Sequence, residues 1–189
     1  MAQKKKDWNG LISGFKASDL VFLDESGCNT DMTRRYADSL GGSRAVDSAP
    51  LSKPKNTTIL PSIQLDGTLR YTTFSGGTTV ERFKRYLETD LLPHLNGNSV
   101  LIMDNMKSHH ARAVRNLLDS SEVRCIYLPP YSPDLNPIEK LWSKVKSFLR
   151  KFKARTLDAL LNAIQCAFQT VSPSDCSGWF HSCGYSPYF

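Results

Sequence analysis

No apolar run in this chain is longer than four or five residues, far short of the roughly 20 that a membrane-spanning helix needs. Nothing like an apolar signal region with a small-residue cleavage site follows the N-terminal lysines, so no secretory signal is expected. The five cysteines (Cys28, Cys125, Cys166, Cys176 and Cys183) are odd in number and contain no C-x-x-C pair. They read as free thiols in a reducing compartment rather than as a disulfide framework. Cys176-x4-His181-x-Cys183 lacks a fourth ligand and has a spacing foreign to structural zinc, so a loop with buried thiols is the plainer reading. Internal repeats and low-complexity tracts are also missing.

What remains is an ordinary folded composition. The chain has 189 residues, 40% hydrophobic and 22% charged, which suits one α/β domain with a real core. The net charge of +6 and pI near 9.1 favour a polyanionic partner. Lys140, Lys144, Lys146, Arg150, Lys151, Lys153 and Arg155 crowd into sixteen residues. Alone, that cluster reads as a solvated helix face; beside a phosphodiester site it reads as a phosphate-contacting stripe.

Along the chain, residues 1–18 form a leader resembling the end of a helix, and strand one is expected at about 19–24. A Gly- and Ser-rich stretch at about 26–55 reads as irregular. Residues 57–64 and 68–74 flank Asp66-Gly67, a strong hairpin signal, and Pro61 suggests an edge or bulge in its strand. Thr78 or Thr79 can cap a helix carrying Val80, Phe83, Leu87 and Leu91 to near Pro93. Strand four is expected at about 99–104, a helix at 109–120 and strand five at 123–128. After Pro129-Pro130-Tyr131-Ser132-Pro133, Asn136 can cap a helix with Pro137 in its first turn. Ile138, Leu141, Trp142, Val145, Phe148, Leu149 and Phe152 mark its apolar face. A last helix is expected at about 156–170. The aromatic stretch 173–189 reads as a tail docking on the domain that spans 19–172. This order gives a three-layer α/β fold with a mixed five-stranded sheet flanked by helices.

Two acids close buried-type strands: Asp24 after Leu20-Val21-Phe22-Leu23, and Asp104 after Val100-Leu101-Ile102-Met103. Parallel neighbours would put both at one sheet edge, where ligand chemistry gathers in open α/β sheets. Glu139 follows Asp104 with 34 residues between them. Three hard oxygen ligands suit a pair of Mg²⁺ or Mn²⁺ ions, with Asp24 bridging and Asp104 and Glu139 flanking. Glu25 points to the other face of the strand. Asp31, Asp66 and Asp134 fall in turn-like contexts. Glu139 has an equal claim as the N3 member of an Asn136-x-x-Glu139 capping box.

Leu23-Asp24-Glu25-Ser26-Gly27, Met103-Asp104-Asn105 with His109, and the long motif Leu128-Pro129-Pro130-Tyr131-Ser132-Pro133-Asp134-Leu135-Asn136-Pro137-Ile138-Glu139 resemble bacterial insertion-sequence transposases of the mariner-like D,D,34,E type. The resemblance runs from the Trp8 region to Tyr185. It implies a ribonuclease H-like catalytic domain with Asp24, Asp104 and Glu139 as the metal-binding catalytic triad. It also implies cleavage at transposon DNA ends and transfer of the 3′-hydroxyl strand to target DNA, typically at TA. The expected partner is double-stranded DNA held by a homodimer, in the cytoplasm and nucleoid-associated. Lys140, Lys144, Lys146 and His109 are candidate DNA contacts; His109 has a packing role as its alternative. Tyr131 and Asn136 are expected to shape the loop that presents Glu139.

Family members carry helix-turn-helix modules ahead of the first catalytic strand, whereas 19 residues precede Leu20 here. An upstream-frame polypeptide or a frameshift fusion is expected to supply them. Alone, the chain is expected to bind DNA weakly, with strong salt sensitivity and little sequence preference. Two other readings stand beside this one. One is a non-catalytic truncated remnant that binds DNA or dimerises with a full transposase. The other is a ribonuclease H acting on RNA–DNA hybrid, against which the proline-rich loop speaks.

Overall fold

A computed structural model describes residues 2–34, 39–44, 46 and 54–185. Among the described residues six strands form one sheet: β1 Leu20–Leu23, β2 Ser26–Asn29, β3 Asn56–Gln64, β4 Leu69–Ser75, β5 Val100–Met103 and β6 Arg124–Tyr127. The described helices are α1 Ala2–Ile12, α2 Val80–Tyr86, α3 Arg112–Ser120, α4 Ile138–Phe152, α5 Leu157–Gln169 and α6 Pro173–Ser182. Helices flank the mixed sheet on both faces, in the ribonuclease H-like three-layer arrangement.

The sheet is mixed because β1 pairs antiparallel with β3 and parallel with β5, which in turn pairs parallel with β6. β4 runs along one edge of β3 from Thr57 to Ile63. The other edge is shared by β1 and β2, giving the order β4-β3-β1-β5-β6 with β2 continuing the line of β1. Leu23 pairs with Ser62 and Ser26 with Ile59, so the register runs unbroken through Asp24 and Glu25. The ladder lapses there because Pro61, opposite Asp24, has no N–H to return the bond that Asp24 N donates to Pro61 O at 3.3 Å. The Pro61 signal thus marks neither an edge nor a bulge. It interrupts an interior ladder beside the first acid.

The expected five strands become six, because Ser26–Asn29 pairs with β3 although its sequence carries no apolar alternation. Alternation within β1 splits the core in two. Leu20 and Phe22 face α1, α4, α5 and α6, whereas Val21 and Leu23 face α2 and α3. At the hairpin tip Gly67 has φ 91°, and a Cβ there would lie 2.8 Å from Pro173 Cα. The turn needs glycine both for its left-handed backbone and for the approach of α6.

Several element ends differ from the sequence expectation. α2 begins at Thr79, whose Oγ1 accepts from Arg82 N at 3.3 Å. It then widens to a π turn over Leu87–Leu91, where the Thr89 hydroxyl takes the Arg85 carbonyl. α3 starts at Arg112 rather than near 109, because the residues before it are drawn toward Asp104. The stretch after Pro173 is largely helical, with a Ser172–Asp175 capping box. Phe180 and Tyr185 pack on Phe22 at ring-centroid distances of 5.2 and 5.0 Å, and Tyr185 Oη accepts from the buried Trp8 indole at 3.0 Å. Residues 35–38, 45 and 47–53 of the expected irregular stretch, and 186–189 of the tail, lie outside the described residues.

Candidate active site

Parallel pairing of β1 with β5 aligns Leu23 with Met103, so Asp24 and Asp104 leave adjacent strands at the same end of the sheet. The chain leaving β6 passes through Leu128 and the proline-rich loop to α4, whose first turn carries Glu139. All three acids line one cavity of about 380 Å³, together with Asn105, Met106, Asn136 and the 128–133 loop. Within that loop Tyr131 adopts a left-handed φ of 57° and stands almost wholly exposed at the rim. The prolines on either side stiffen the turn that brings Leu135 into the core.

Asp24 is the buried member, 9% exposed. Its Oδ1 accepts from Glu25 N at 2.7 Å; its Oδ2 accepts from Trp142 Nε1 at 3.3 Å and Asn136 Nδ2 at 3.4 Å. Burial raises its carboxyl to about 7. The Glu25 N–H opposes that shift, the charges of Asp104 and Glu139 add to it, and the Trp142 indole opposes it. A buried acid pushed up by two further acids is a place short of positive charge.

Asp104 is half-exposed and is held from below. His109 Nδ1 lies 2.8 Å from its Oδ1 and 3.2 Å from its main-chain oxygen, and Met106 N donates to the same Oδ1 at 3.2 Å. The imidazole is fully buried, stacked on Phe83 at 4.3 Å. Burial opposes its charge, yet the Asp104 carboxylate and carbonyl together lift its pKa above the usual histidine range. With no exposed atom, His109 cannot make the DNA contact considered for it; it orients Asp104 instead.

Glu139 is exposed, and the capping reading of it fails. Pro137 takes the N-cap position without a side-chain bond of its own, and Asn136 Oδ1 accepts from Ile138 N at 3.4 Å. The Nδ2 of the same amide donates to Asp24 Oδ2, so Asn136 links the start of α4 to the first acid while Glu139 takes no part in a capping box. Asn136 and Trp142 are therefore site residues that sequence reasoning placed elsewhere, one as a cap and one on an apolar face. Their signal was spacing alone: Trp142 stands one helical turn after Glu139.

The basic candidates diverge. Lys140 is exposed on α4. Lys144 is occupied, donating to Asp175 Oδ2 at 2.6 Å and Thr170 O at 2.8 Å. Lys146 lies over the Trp142 ring at 5.7 Å. Among the described residues no three candidate ligands stand in ligating geometry around one point. The donor set nevertheless fits hard divalent cations: three carboxylates, one of them buried and crowded by the others. No described helix is long and apolar enough to cross a membrane.

The family model described as DDE superfamily endonuclease matches residues 19–161, which include all three acids. The Tc1 transposable-element transposase of Caenorhabditis elegans is 29% identical over 97 residues, covering 49% of this chain and 36% of that protein. An uncharacterized 39 kDa protein of insertion element IS630 from Shigella sonnei is 33% identical over 75 residues, covering 39% of this chain and 22% of its own length. The chain therefore spans little more than a third of the first relative and about a fifth of the second. In fold it is similar to Mos1 transposase in a pre-cleavage transpososome, with TM-score 0.78, 18% identity, and 96% of this chain and 58% of that one covered. The catalytic domain of Mos1 mariner transposase gives TM-score 0.69 at 19% identity, with 95% and 85% covered. With residues 19–161 matched, the chain belongs to the DDE superfamily endonuclease family.

Proposed function

We propose that this chain is the catalytic part of a DNA transposase, cutting transposon ends and joining the freed 3′-hydroxyl strand to target DNA at TA. Asp24, Asp104 and Glu139 would hold two Mg²⁺ or Mn²⁺ ions; Mos1 paired-end complexes have been solved with each metal. Such ions would supply the Lewis acidity for in-line phosphoryl transfer. The protein's share is positioning. Asp24 is fixed by three donors, Asp104 is pinned by His109, and exposed Glu139 can swing to close the set.

Cutting forms a bond from water oxygen to the scissile phosphorus and releases a 3′-hydroxyl. In joining, that hydroxyl attacks a target phosphorus and expels the target 3′-oxygen, so one phosphodiester replaces another and no energy-carrying cofactor is consumed. No side chain need act as nucleophile. The same reading supplies double-stranded DNA as partner, two copies to hold two ends, and a cytoplasmic, nucleoid-associated location. The Mos1 relatives solved as a transpososome and as a strand transfer complex support the DNA partner.

The observation that carries the proposal is the placement of Asp24 and Asp104 on adjacent parallel strands across one cavity from Glu139. The test is to give the protein pre-cut, labelled element ends with Mg²⁺ or Mn²⁺, beside an Asp104→Ala variant. Metal-dependent strand joining by the parent alone is expected. If parent and variant both stay inactive, even when fused to helix-turn-helix modules, the truncated-remnant reading takes its place.

A further inference from the structure

α4 does more than present Glu139. At about 100° per residue, Glu139, Trp142, Lys146 and Arg150 fall within a stripe roughly 80° wide, whereas Lys140, Lys144 and Lys151 lie about 100–140° away from Glu139. The stripe is some 16 Å long at about 1.5 Å per residue. It begins at the active-site cavity and ends at a second, polar cavity of about 360 Å³. Lys146 and Arg150 form one wall of that cavity. Gly27, Cys28 and the loop from Asn29 to Thr33 form the other.

The strand supports the same path. Asp24 and Cys28 lie on one face of the continuous β1–β2 line, four residues or about 13 Å apart. That matches the axial span of about four nucleotides in duplex DNA. The second wall is itself held in place: Arg155 Nη1 donates to Thr30 O at 3.1 Å and Met32 O at 3.3 Å, and Asp31 N donates to Asn29 Oδ1 at 3.0 Å. Polarity differs across the cavity. Two cations stand on the α4 side, and on the loop side Asp31 keeps a buried Oδ1 with no hydrogen-bond partner, an acceptor that calls for a donor.

We propose that this second cavity is a phosphate-backbone subsite, through which the strand bearing the scissile phosphate leaves the active site. Lys146 and Arg150 take its phosphates within about four nucleotides of the cut, and Asp31 faces the donor-bearing base or water side. The inference rests on the DNA reading above and deepens it. Lys140 and Lys144 are not the principal contacts: Lys144 is spent on α6, and Lys140 points away from the stripe.

The test is binding, not joining. Affinity of the full chain for a short labelled duplex is measured in EDTA from 50 to 200 mM salt, for the parent, Lys146→Gln/Arg150→Gln, and Lys140→Gln/Lys151→Gln. Loss of two phosphate contacts lowers the log–log salt slope by about 1.8, so the first variant loses roughly tenfold less affinity across that range than the parent. The second variant, with the same net charge, keeps most of the slope. Neutral methylphosphonates placed one at a time near the scissile position weaken the parent at one or two linkages and leave the first variant unaffected there. Asp31→Asn tightens binding. Equal slope losses in both variants, or no methylphosphonate position that depends on Lys146 and Arg150, overturn the proposal. So does inorganic phosphate that competes as well as DNA, which marks a site for free anions. Melting curves of both variants confirm folding. Because the readout needs no metal, failed strand joining with an intact slope effect would strike the transposase reading and leave this subsite standing.

Discussion

Asp24 and Glu139 carry the same chemistry into one cavity from opposite circumstances. Asp24 sits in the middle of the sheet, 9% exposed, with three donors on its oxygens and its carboxyl raised to about 7. Glu139 stands exposed at a helix start. The contrast separates two requirements of such a site. One ligand must be fixed, which costs stability while its charge is unopposed; another must be free to close the set at little cost. Function concentrates strain at the fixed ligand.

The comparison breaks most visibly in Asp24→Asn and Glu139→Gln. Both are expected to cut metal-dependent joining by about 10³-fold or more, but they should differ in stability. Asp24 has its folded pKa, about 7, above the ordinary aspartate value of 3.8. Asp24's own contribution to the stability of the metal-free protein is therefore fullest below about pH 4, declines as pH rises towards 7, and levels off above that. Asp24→Asn removes the slope. Allowing for the donor that its amide would turn on the Glu25 N–H, it should gain about 2 kcal/mol at pH 8 in EDTA. Glu139→Gln, at an exposed position, should stay within about 0.5 kcal/mol of the parent at every pH. Thermal melts across pH decide this; shifts of equal size and the same sign in the two variants would dissolve the contrast.

The fixed ligands can be sharpened through the groups behind them. His109→Phe keeps the stack on Phe83 but releases Asp104, and Trp142→Phe keeps the packing but removes one donor from Asp24. Each should weaken Mn²⁺ binding by about 10–100-fold, read by titration calorimetry, with folding retained. If either left metal affinity unchanged, its residue would be a packing group and nothing more.

What the sequence disclosed follows from what each signal depended on. Asp24 and Asp104 were visible because each closes a continuous apolar run, which a strand buried on both faces must have. The hairpin was visible because Asp66-Gly67 is local turn chemistry. Glu139 was visible through its motif, while its spacing suited a cap equally well. β2 was hidden because Ser26-Gly27-Cys28-Asn29 has no apolar alternation, and its pairing is inherited from the register of β1. Trp142 and Asn136 were hidden because their partner, Asp24, is over a hundred residues away, and periodicity sees only neighbours. α6 was hidden because Gly178 and a scattered apolar pattern mask a helix whose cap, Ser172 with Asp175, does the specifying.

The smallest effect lies on the other side of α4, where the same helix is tied down rather than kept open. Asp175 Oδ2 accepts from Lys144 Nζ at 2.6 Å and from Ser172 N and Oγ at 2.8 Å each. The Lys144 ammonium, with Ser172, lowers the Asp175 carboxyl to about 2. A folded pKa below the ordinary aspartate value of 3.8 means the contribution is present above about pH 4 and fades as pH falls towards 2. Both side chains are partly exposed, 34% and 27%, so screening holds the pair's coupling to about 0.5–1 kcal/mol. A double-mutant cycle of Lys144→Ala and Asp175→Asn at pH 7 should return that coupling, reduced at high salt, with DNA affinity barely altered. A large fall in DNA affinity with Lys144→Ala would instead put the cation on the DNA and make the two sides of α4 alike.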